Sequence, residues 1–584
     1  MDMRRWSTTA SISFIPSENP LGFGASDCLE LLLTITLAAS LIAFRSPLRR
    51  QVTRFAARTG WCMAALAILT AVLRLVLLPN HPVPAPAIYD EFSHLLVADT
   101  LRHFRFANPA HVLPQFFETF FVLQQPTYSS IYPIGQGLCL ALGSLIFGTP
   151  WAGVVFSVSA LCACSYWMLR GWVSPPWAFL GGLLAVIEFG PLNQWMNDYW
   201  GGAVPALGGC LVFGALPRLV SRFRRRDALI PGIALGAGLA IHLLSRPYES
   251  LFLFLSTALF LTPEWKHWRA MLRPLSIAAA LVALALGVTM LQNRQITGSA
   301  FTLPYAFSQY QYGVPAALTL QADAIPHRAL TSQQELDYRM QKGFHGPGPE
   351  TAAKFVTRLE YRVRFYRFFF LPPLYIALAA FIVRARAFRD VWVLLTLLLF
   401  ALGVNFFPNW QFHYIAAVTC LFLLVSVVGL QNISRIRWRG LRTGEEAALI
   451  LISLCFAHFL VWYAMHIFDR QEFSIAMRRY ETWDAINHAA TGQRSSVGQE
   501  LARAPGKQLV FVRYWPQHIF QDEWVWNAAD IDNSRVVWAR DLGPDEDPKL
   551  MALYPDRTVW LLEPDARPPR LSTWNATKPE PRTP

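Results

Sequence analysis

Apolar runs of about 17 to 21 residues recur along this chain near 27–44, 60–79, 151–170, 177–190, 201–219, 228–245, 249–262, 274–292, 367–384, 391–407, 412–430 and 446–466, a few of them shorter. A helix of that length crosses a hydrocarbon core of roughly 30 Å, so the pattern predicts about twelve transmembrane helices. Between 89 and 106 the pattern changes. Phe92, Leu95, Leu96, Leu101 and Phe104 recur at helical spacing among polar residues, which predicts an amphipathic helix lying on the bilayer surface with Asp90 and His94 one turn apart on its polar side. From about 467 a third pattern begins, with a helical stretch from Phe473 to Asn487 and strands at Gln508 to Val512, Arg535 to Ala539 and Thr558 to Leu562. That pattern predicts a small soluble α/β unit of roughly 110 residues, large enough for a modest core, serving as a lid or docking module. Its last residues, rich in Pro and Arg, are expected to be disordered.

Three regions follow from these patterns. Residues 1–59 form an N-terminal segment with an extra transmembrane helix, 60–466 the main transmembrane domain, and 467–584 the C-terminal α/β domain. The main domain holds a first outer loop at 80–150 and a long outer loop at 293–366. Composition agrees with the membrane class: 54% of the 584 residues are hydrophobic and only 15% charged, far from the balance of a soluble chain. The fold class is therefore an all-α polytopic membrane protein with a small soluble domain appended.

The net charge of +13 raises the question of a nucleic-acid partner, but the arginines are confined to short loops between apolar runs, so no nucleic acid is implied. Arg45, Arg49, Arg50, Arg54 and Arg58, with no acid among them, fix the loop after the first span in the cytoplasm, and the loop holding Asp90 and Glu91 then lies outside. A second block at Arg218, Arg222, Arg224, Arg225 and Arg226 should also be cytoplasmic, yet four apolar stretches separate it from the first outer loop. An even number would leave it outside, so one stretch does not cross. The stretch 133–148, short and opening on Pro133, Gly135 and Gly137, is the one expected to stay at the surface or re-enter. Lys266, Arg269 and Arg273, then Arg384, Arg386 and Arg389, then Arg435, Arg437, Arg439 and Arg442 all fall inside on that reading; Arg4 and Arg5 fall outside, outweighed by the five arginines that follow. The start lacks the pattern of a cleaved signal peptide. The eight cysteines lie in or beside apolar segments and offer neither a disulfide framework nor metal-ligand spacing.

The outer face gathers the polar residues. Asp90 and Glu91 open the amphipathic segment, where they could cap the helix and complement its dipole, or carry chemistry. Asn193, Gln194, Asn197, Asp198, Tyr199 and Trp200 follow one span, and Arg246, Tyr248 and Glu249 follow another. Asp198 could cap the helix beginning near Gly201, and Arg246 could be an interfacial cation whose head reaches water. Asn293, Arg294 and Gln295 end a span, Tyr305, Tyr310 and Tyr312 lie in the next loop, and Asn405, Asn409, Trp410, Gln411 and His413 lie between later spans.

In order and position these residues resemble the C-type (GT-C) membrane glycosyltransferases, the group of protein O-mannosyltransferases and aminoarabinose and lipid-A-modifying transferases. The likeness rests on Tyr89-Asp90-Glu91-Phe92-Ser93-His94 opening a large first outer loop, and on Tyr132-Pro133-Ile134-Gly135, with Ile134 where the family has a second Pro. Asn197-Asp198-Tyr199-Trp200 stands in the second outer loop, and Gln411-Phe412-His413-Tyr414 stands late in the chain, with His413 for the usual Arg. It covers roughly 60–300 well and the later helices loosely, and points to an uncharacterised bacterial branch.

The resemblance implies transfer of a sugar, with inversion, from a polyprenyl-phosphate donor to a lipid, glycan or protein acceptor on the outer, periplasmic face of a bacterial inner membrane. Such a displacement needs a carboxylate to take the acceptor's proton. Asp90 is the expected base, with Glu91 orienting the acceptor. The leaving lipid phosphate calls for cations, for which Arg246, Arg294 and His413 are the candidates. His94, Asn197, Asp198, Tyr199, Trp200, Tyr248, Glu249, Tyr305 and Gln411 are expected to line the substrates. A divalent cation, Mg or Mn, held by Asp198, His94 or Glu91 is compatible with hard oxygen ligands, although no spacing demands it. The rivals are a polymerase or ligase acting on lipid-linked glycan, and a secondary transporter or flippase. The transporter reading is disfavoured because the polar residues gather at one surface and the two halves show no similarity.

Overall fold

The computed structural model describes residues 25–43, 52–222, 228–313, 317–322, 324–331, 348–468, 492–516 and 522–574 together with a few isolated positions. The expected helix from Phe473 to Asn487, the C-terminal end expected to be disordered, and most of the first two arginine blocks lie outside the described residues.

A helix forms at each apolar run. In chain order the helices are α1 (Ala25–Ala43), α2 (Thr59–Val76), α3 (Tyr89–Arg102), α4 (Ile134–Phe147), α5 (Pro150–Leu169), α6 (Pro175–Phe189), α7 (Ala203–Arg222), α8 (Leu229–Leu243), α9 (Pro247–Leu261), α10 (Trp268–Thr297), α11 (Pro304–Tyr312) and α12 (Ala352–Val363). They continue with α13 (Leu374–Arg384), α14 (Phe388–Val404), α15 (Thr419–Ser434) and α16 (Thr443–Phe468). Proline opens α5, α6, α9 and α11, where its missing N–H would have had no partner anyway.

By length and composition, six described stretches are able to cross a membrane: Thr59–Val76, Pro150–Leu169, Ala203–Ser221, Pro247–Thr297, Phe412–Ser434 and Thr443–Phe468. The expected count of about twelve is not reached on that criterion. The reason is punctuation: α6 is held to 15 residues between Pro175, which opens it, and Gly190-Pro191 after it, and α8 also has 15, a rise of about 22 Å against a core of roughly 30 Å.

The stretch that charge parity singles out is α4. It has 14 residues and ends at Gly148, whose φ of 75° is the left-handed conformation that stops a helix. At about 21 Å it falls, like α6 and α8, short of a core of roughly 30 Å. Small residues set it tightly against α5: a Cβ added at Gly143 would lie 2.2 Å from the Gly153 nitrogen, the close backbone approach by which helices associate in lipid. The largest core, built around Phe189, Phe213, Trp392, Leu421 and Trp462, runs through α6, α7, α14, α15 and α16.

The first outer loop adds three short antiparallel strands in the order β1-β3-β2, namely β1 (Asn108–Pro109), β2 (Val122–Leu123) and β3 (Thr127–Ser130). Beyond the membrane helices, α17 (Gly492–Arg503) leads into a four-stranded sheet of β4 (Lys507–Val512), β5 (Val536–Arg540), β6 (Arg557–Glu563) and β7 (Arg570–Thr573), in the order β5-β4-β6-β7. The first three strands stand where the alternation predicts them and pair in parallel; β7, unforeseen, closes the edge antiparallel to β6.

One expectation is corrected. The helix α3 forms, but it does not rest on the bilayer with one face in water, because residues from Tyr89 to Ala98 are buried all round. Phe92, Leu95 and Ala98 pack against Leu140 and Ala141 of α4 and Trp151 and Val154 of α5. Leu96 packs with Phe116 and Phe117 into Leu509 and Phe511 of the C-terminal sheet. Only Phe104, 95% exposed, is left out of the apolar stripe. The periodicity correctly marked a two-sided helix, and protein covers both sides.

Candidate active site

The first turn of α3 places two carboxylates side by side, and their surroundings separate them. Glu91 turns back on its own helix start: Oε2 accepts the Ala87 amide at 2.8 Å and the Ile88 amide at 3.3 Å, while Oε1 accepts the Tyr199 amide of the second outer loop at 3.0 Å. This is the reaching-back half of a capping box, extended to a second loop. Asp90 faces the other way. Its Oδ1 accepts the Tyr132 hydroxyl, and burial pushes its carboxyl up to about 7, with the Glu91 charge adding to the rise and the Tyr132 bond and the Arg246 charge opposing it.

Around Asp90 stand groups from four elements. The His94 ring stacks on Tyr132 at 4.3 Å. Burial, reinforced by the Arg246 charge, pulls its pKa down to about 3, so the imidazole is neutral, and its buried Nδ1 finds no partner. Arg246, just before α9, lies 5.2 Å over the Tyr414 ring and 3.7 Å from Oε1 of Glu249. Tyr305, on α11, feels both the Asp90 and the Arg246 charge, and burial lifts its hydroxyl to about 12. Gln292 of α10 donates to the Tyr132 carbonyl at 3.0 Å and so fixes the segment that presents Tyr132. The result is a buried corner with a carboxyl, a guanidinium and a ring of phenols.

The second outer loop forms the opposite flank. Arg74, buried near the end of α2, donates from Nε to Oδ1 of Asn197 at 2.8 Å and from its terminal nitrogens to the His81 and Pro82 carbonyls at 3.0 and 3.2 Å. Asn197 Nδ2 donates to the Pro191 and Asn193 carbonyls. Asp198 Oδ1 accepts the Trp200 amide at 3.1 Å, closing a tight turn. Gly202 completes that turn at φ 131°, where a Cβ would meet the Trp195 indole at 2.3 Å. Asp198 Oδ2 is buried without a partner, and burial, then the Glu91 charge, hold its carboxyl well above the usual range. The Tyr199 hydroxyl donates to the Pro84 carbonyl at 2.8 Å.

The remaining sequence candidates divide. His413 is buried, with its ring 5.2 Å from Trp200 and 5.0 Å from Tyr414, next to the phenols around Arg246. Tyr248 turns away, donating to the Gly403 carbonyl at 3.0 Å. Gln411 is half-buried at the head of the Phe412–Val418 turn. Arg294 is exposed in the last turn of α10 and makes no contact with the Asp90 corner. The three donors considered for a divalent ion do not assemble: among the described residues no group of three or more His, Cys, Asp or Glu side chains gathers as a metal site. Glu91 already holds three amides, and His94 stacks on Tyr132.

No family model and no curated protein matches this chain. Among solved structures it is similar to ArnT from Cupriavidus metallidurans bound to undecaprenyl phosphate, at 12% identity, covering 86% of this chain and 93% of that one with a TM-score of 0.48. The apo form of the same protein gives 11% identity, 87% and 93% coverage, and a TM-score of 0.46. The Archaeoglobus fulgidus oligosaccharyltransferase in complex with zinc and sulfate gives 12% identity, 86% and 67% coverage, and a TM-score of 0.43.

Sequence reasoning missed Tyr132, Gln292 and Arg74 as site-builders. Tyr132 was in view only as part of a motif, and nothing along the chain shows that its hydroxyl reaches 42 positions back to Asp90. Arg74 did carry a signal, since a lone arginine inside an apolar span is costly unless used. Arg362 plays a similar structural part without that signal, since α12 is a charged helix outside the apolar runs: buried, it donates to the carbonyls of Val404, Phe407 and Asn409 and thereby shapes the turn before Gln411.

Proposed function

We propose that this chain is an integral-membrane glycosyltransferase that moves a sugar from a polyprenyl-phosphate donor to an acceptor hydroxyl at the outer face of the membrane, with inversion. The observation that carries this reading is the buried Asp90 carboxyl, held by Tyr132 and under the charge of Arg246. A general base works best when its pKa lies near the operating pH, and Asp90 sits at about 7.

In the reaction the acceptor oxygen attacks the anomeric carbon from the face opposite the leaving group. Its proton passes to Asp90 as the new C–O bond forms. The bond between the anomeric carbon and the phosphate oxygen breaks, and the polyprenyl phosphate departs with the electron pair. Arg246 faces the charge that develops on that phosphate; such stabilisation in a dry site is worth about 3 to 4 kcal/mol per well-placed donor. Neutral His94 stacks on Tyr132 and keeps the phenol aimed at Asp90. Tyr305 and Tyr414 offer aromatic faces to the sugar. Glu91, Asn197, Asp198 and Tyr199 shape the floor, and His413 with Trp200 lies behind the phenols. The site lies on the outer side of a bacterial inner membrane, and a lipid tail enters it between helices.

The test is transfer by purified protein in lipid nanodiscs with a panel of polyprenyl-phosphate sugars, wild type against Asp90→Asn, scored by mass spectrometry. Donor consumption by wild type alone supports the reading. Equal consumption by both removes Asp90 as the base, and no binding or turnover with any donor removes the reaction class.

A further inference from the structure

The C-terminal domain is joined to α3 more closely than a lid would be. The Trp526 indole stacks on the Phe92 ring at 5.2 Å with 28° between the planes, and its Nε1 donates to the Phe92 carbonyl at 3.0 Å. About two turns further along the same helix, the Ala529 amide donates to Oδ2 of Asp99 at 2.8 Å. Arg494 of α17 covers the Phe92 ring at 4.3 Å and holds the 523–524 backbone through its terminal nitrogens. Tyr128 of β3 donates to the Asn527 carbonyl at 2.9 Å. Thus 526–529 runs along α3 and is fastened to it at each end by a hydrogen bond between a side chain and a backbone group. Asp90 stands two residues before Phe92.

We propose that the C-terminal domain completes the catalytic helix, with Trp526 as a positioning residue that fixes α3, and through it the aim of the Asp90 carboxylate. This rests on the reading of Asp90 as the base. The physical reason is leverage: α3 is a short helix whose first turn carries the reacting group, and a displacement of about 1 Å at such a group can cost about a hundred-fold in rate. The indole also shields the outer side of α3 from water.

The experiment uses the full chain in nanodiscs, comparing wild type, Trp526→Ala, Trp526→Phe, Asp99→Ala and Asp90→Asn for turnover, donor KM and pH profile. For Trp526→Ala, turnover is expected to fall about ten- to a hundred-fold with donor KM unchanged. The acid limb of its profile should move to lower pH as water reaches α3. Trp526→Phe, which keeps the stacked ring, should recover most of the rate. Hydrogen exchange at 89–102 should rise in Trp526→Ala and, to a lesser degree, in Asp99→Ala. Should Trp526→Ala fail to accumulate, Asp99→Ala carries the test, because it removes the acceptor of the Ala529 amide with the loss of one further contact, the 3.4 Å pair with Arg102; its turnover should fall less than that of Trp526→Ala, and wild-type turnover overturns the proposal. Wild-type turnover and an unmoved pH profile in a folded Trp526→Ala overturn the proposal, as does a change confined to donor KM. If Asp90→Asn retains full activity the underlying reading fails; an inactive Asp90→Asn with a fully active Trp526→Ala leaves that reading intact and removes only the positioning role.

Discussion

The two flanks of α3 have nearly the same polar content and opposite character. On the second-loop flank, Glu91, Arg74 and Asn197 direct their donors and acceptors almost entirely at backbone amides and carbonyls. On the Tyr132 flank, Asp90 meets a single phenol, His94 keeps a ring nitrogen unpartnered, and Arg246 touches Glu249 only at 3.7 Å. Adjacent carboxylates in sequence thus differ in what their lone pairs already hold. A residue whose lone pairs are all engaged builds a site, and a residue with some left over is equipped to act in one.

The sharpest way to break that contrast is Asp90→Asn, which keeps the shape and removes the base; transfer should fall about 10²- to 10⁴-fold with an unchanged unfolding midpoint, read by donor consumption and thermal unfolding of the same preparation. Arg246→Ala comes next, with transfer down about 10²- to 10³-fold and the loss greater for donor than for acceptor; the reverse order in the two titrations would contradict its phosphate role. The pH profile follows. Since Asp90 must be ionised to accept a proton and its carboxyl lies near 7, the rate should rise with pH through about 7 and drop about ten-fold per unit below it. The sign for stability is opposite. A raised carboxylate pKa means the folded state holds the proton more tightly, so this contribution is complete below the ordinary carboxylate pKa and declines as pH climbs to about 7.

The remaining two changes test groups already engaged with backbone partners, Glu91 on the second-loop flank and Tyr248 on α9. Glu91→Gln weakens the acceptor set for three amides, so it should cost about 1 to 3 kcal/mol of stability, measured by thermal unfolding in detergent, while turnover above the acid limb is retained and the limb itself moves to lower pH, because the Glu91 charge that helps raise the Asp90 carboxyl is gone. Tyr248→Phe removes one bond to the Gly403 carbonyl, and about 1 kcal/mol is expected with turnover unaffected. A loss of turnover larger than the loss of stability in either variant would erase the distinction between the flanks.

The sequence made the placement of helices legible because apolar length and arginine blocks are local signals. Helices form at every predicted run. Asp90 was legible as an acid opening a helix in an outer loop. Its separation from Glu91 was not, because that depends on partners at Tyr132 and Tyr199, 42 and 108 positions away. The bilayer expected beside α3 turned out to be protein for the same reason, since a stripe of apolar residues says that something apolar will cover it and not what. Arg294 shows the limit from the other side: its neighbours Asn293 and Gln292 are buried, while it points outward from the same turn.

The bond from Trp526 to Phe92 spans 434 positions, and that separation orders events during synthesis. The helix bearing Asp90 is made early, and on the proposed reading is placed outside early, while the segment that braces it emerges only after the last apolar helix. On the proposed reading, the growing chain carries its base in an unbraced helix through most of its own insertion, and reactivity matures with the final exported domain. Chains cut short by damage or stalled translation would retain the membrane bundle and the carboxylate yet lack the brace, so full-length synthesis becomes a condition for activity.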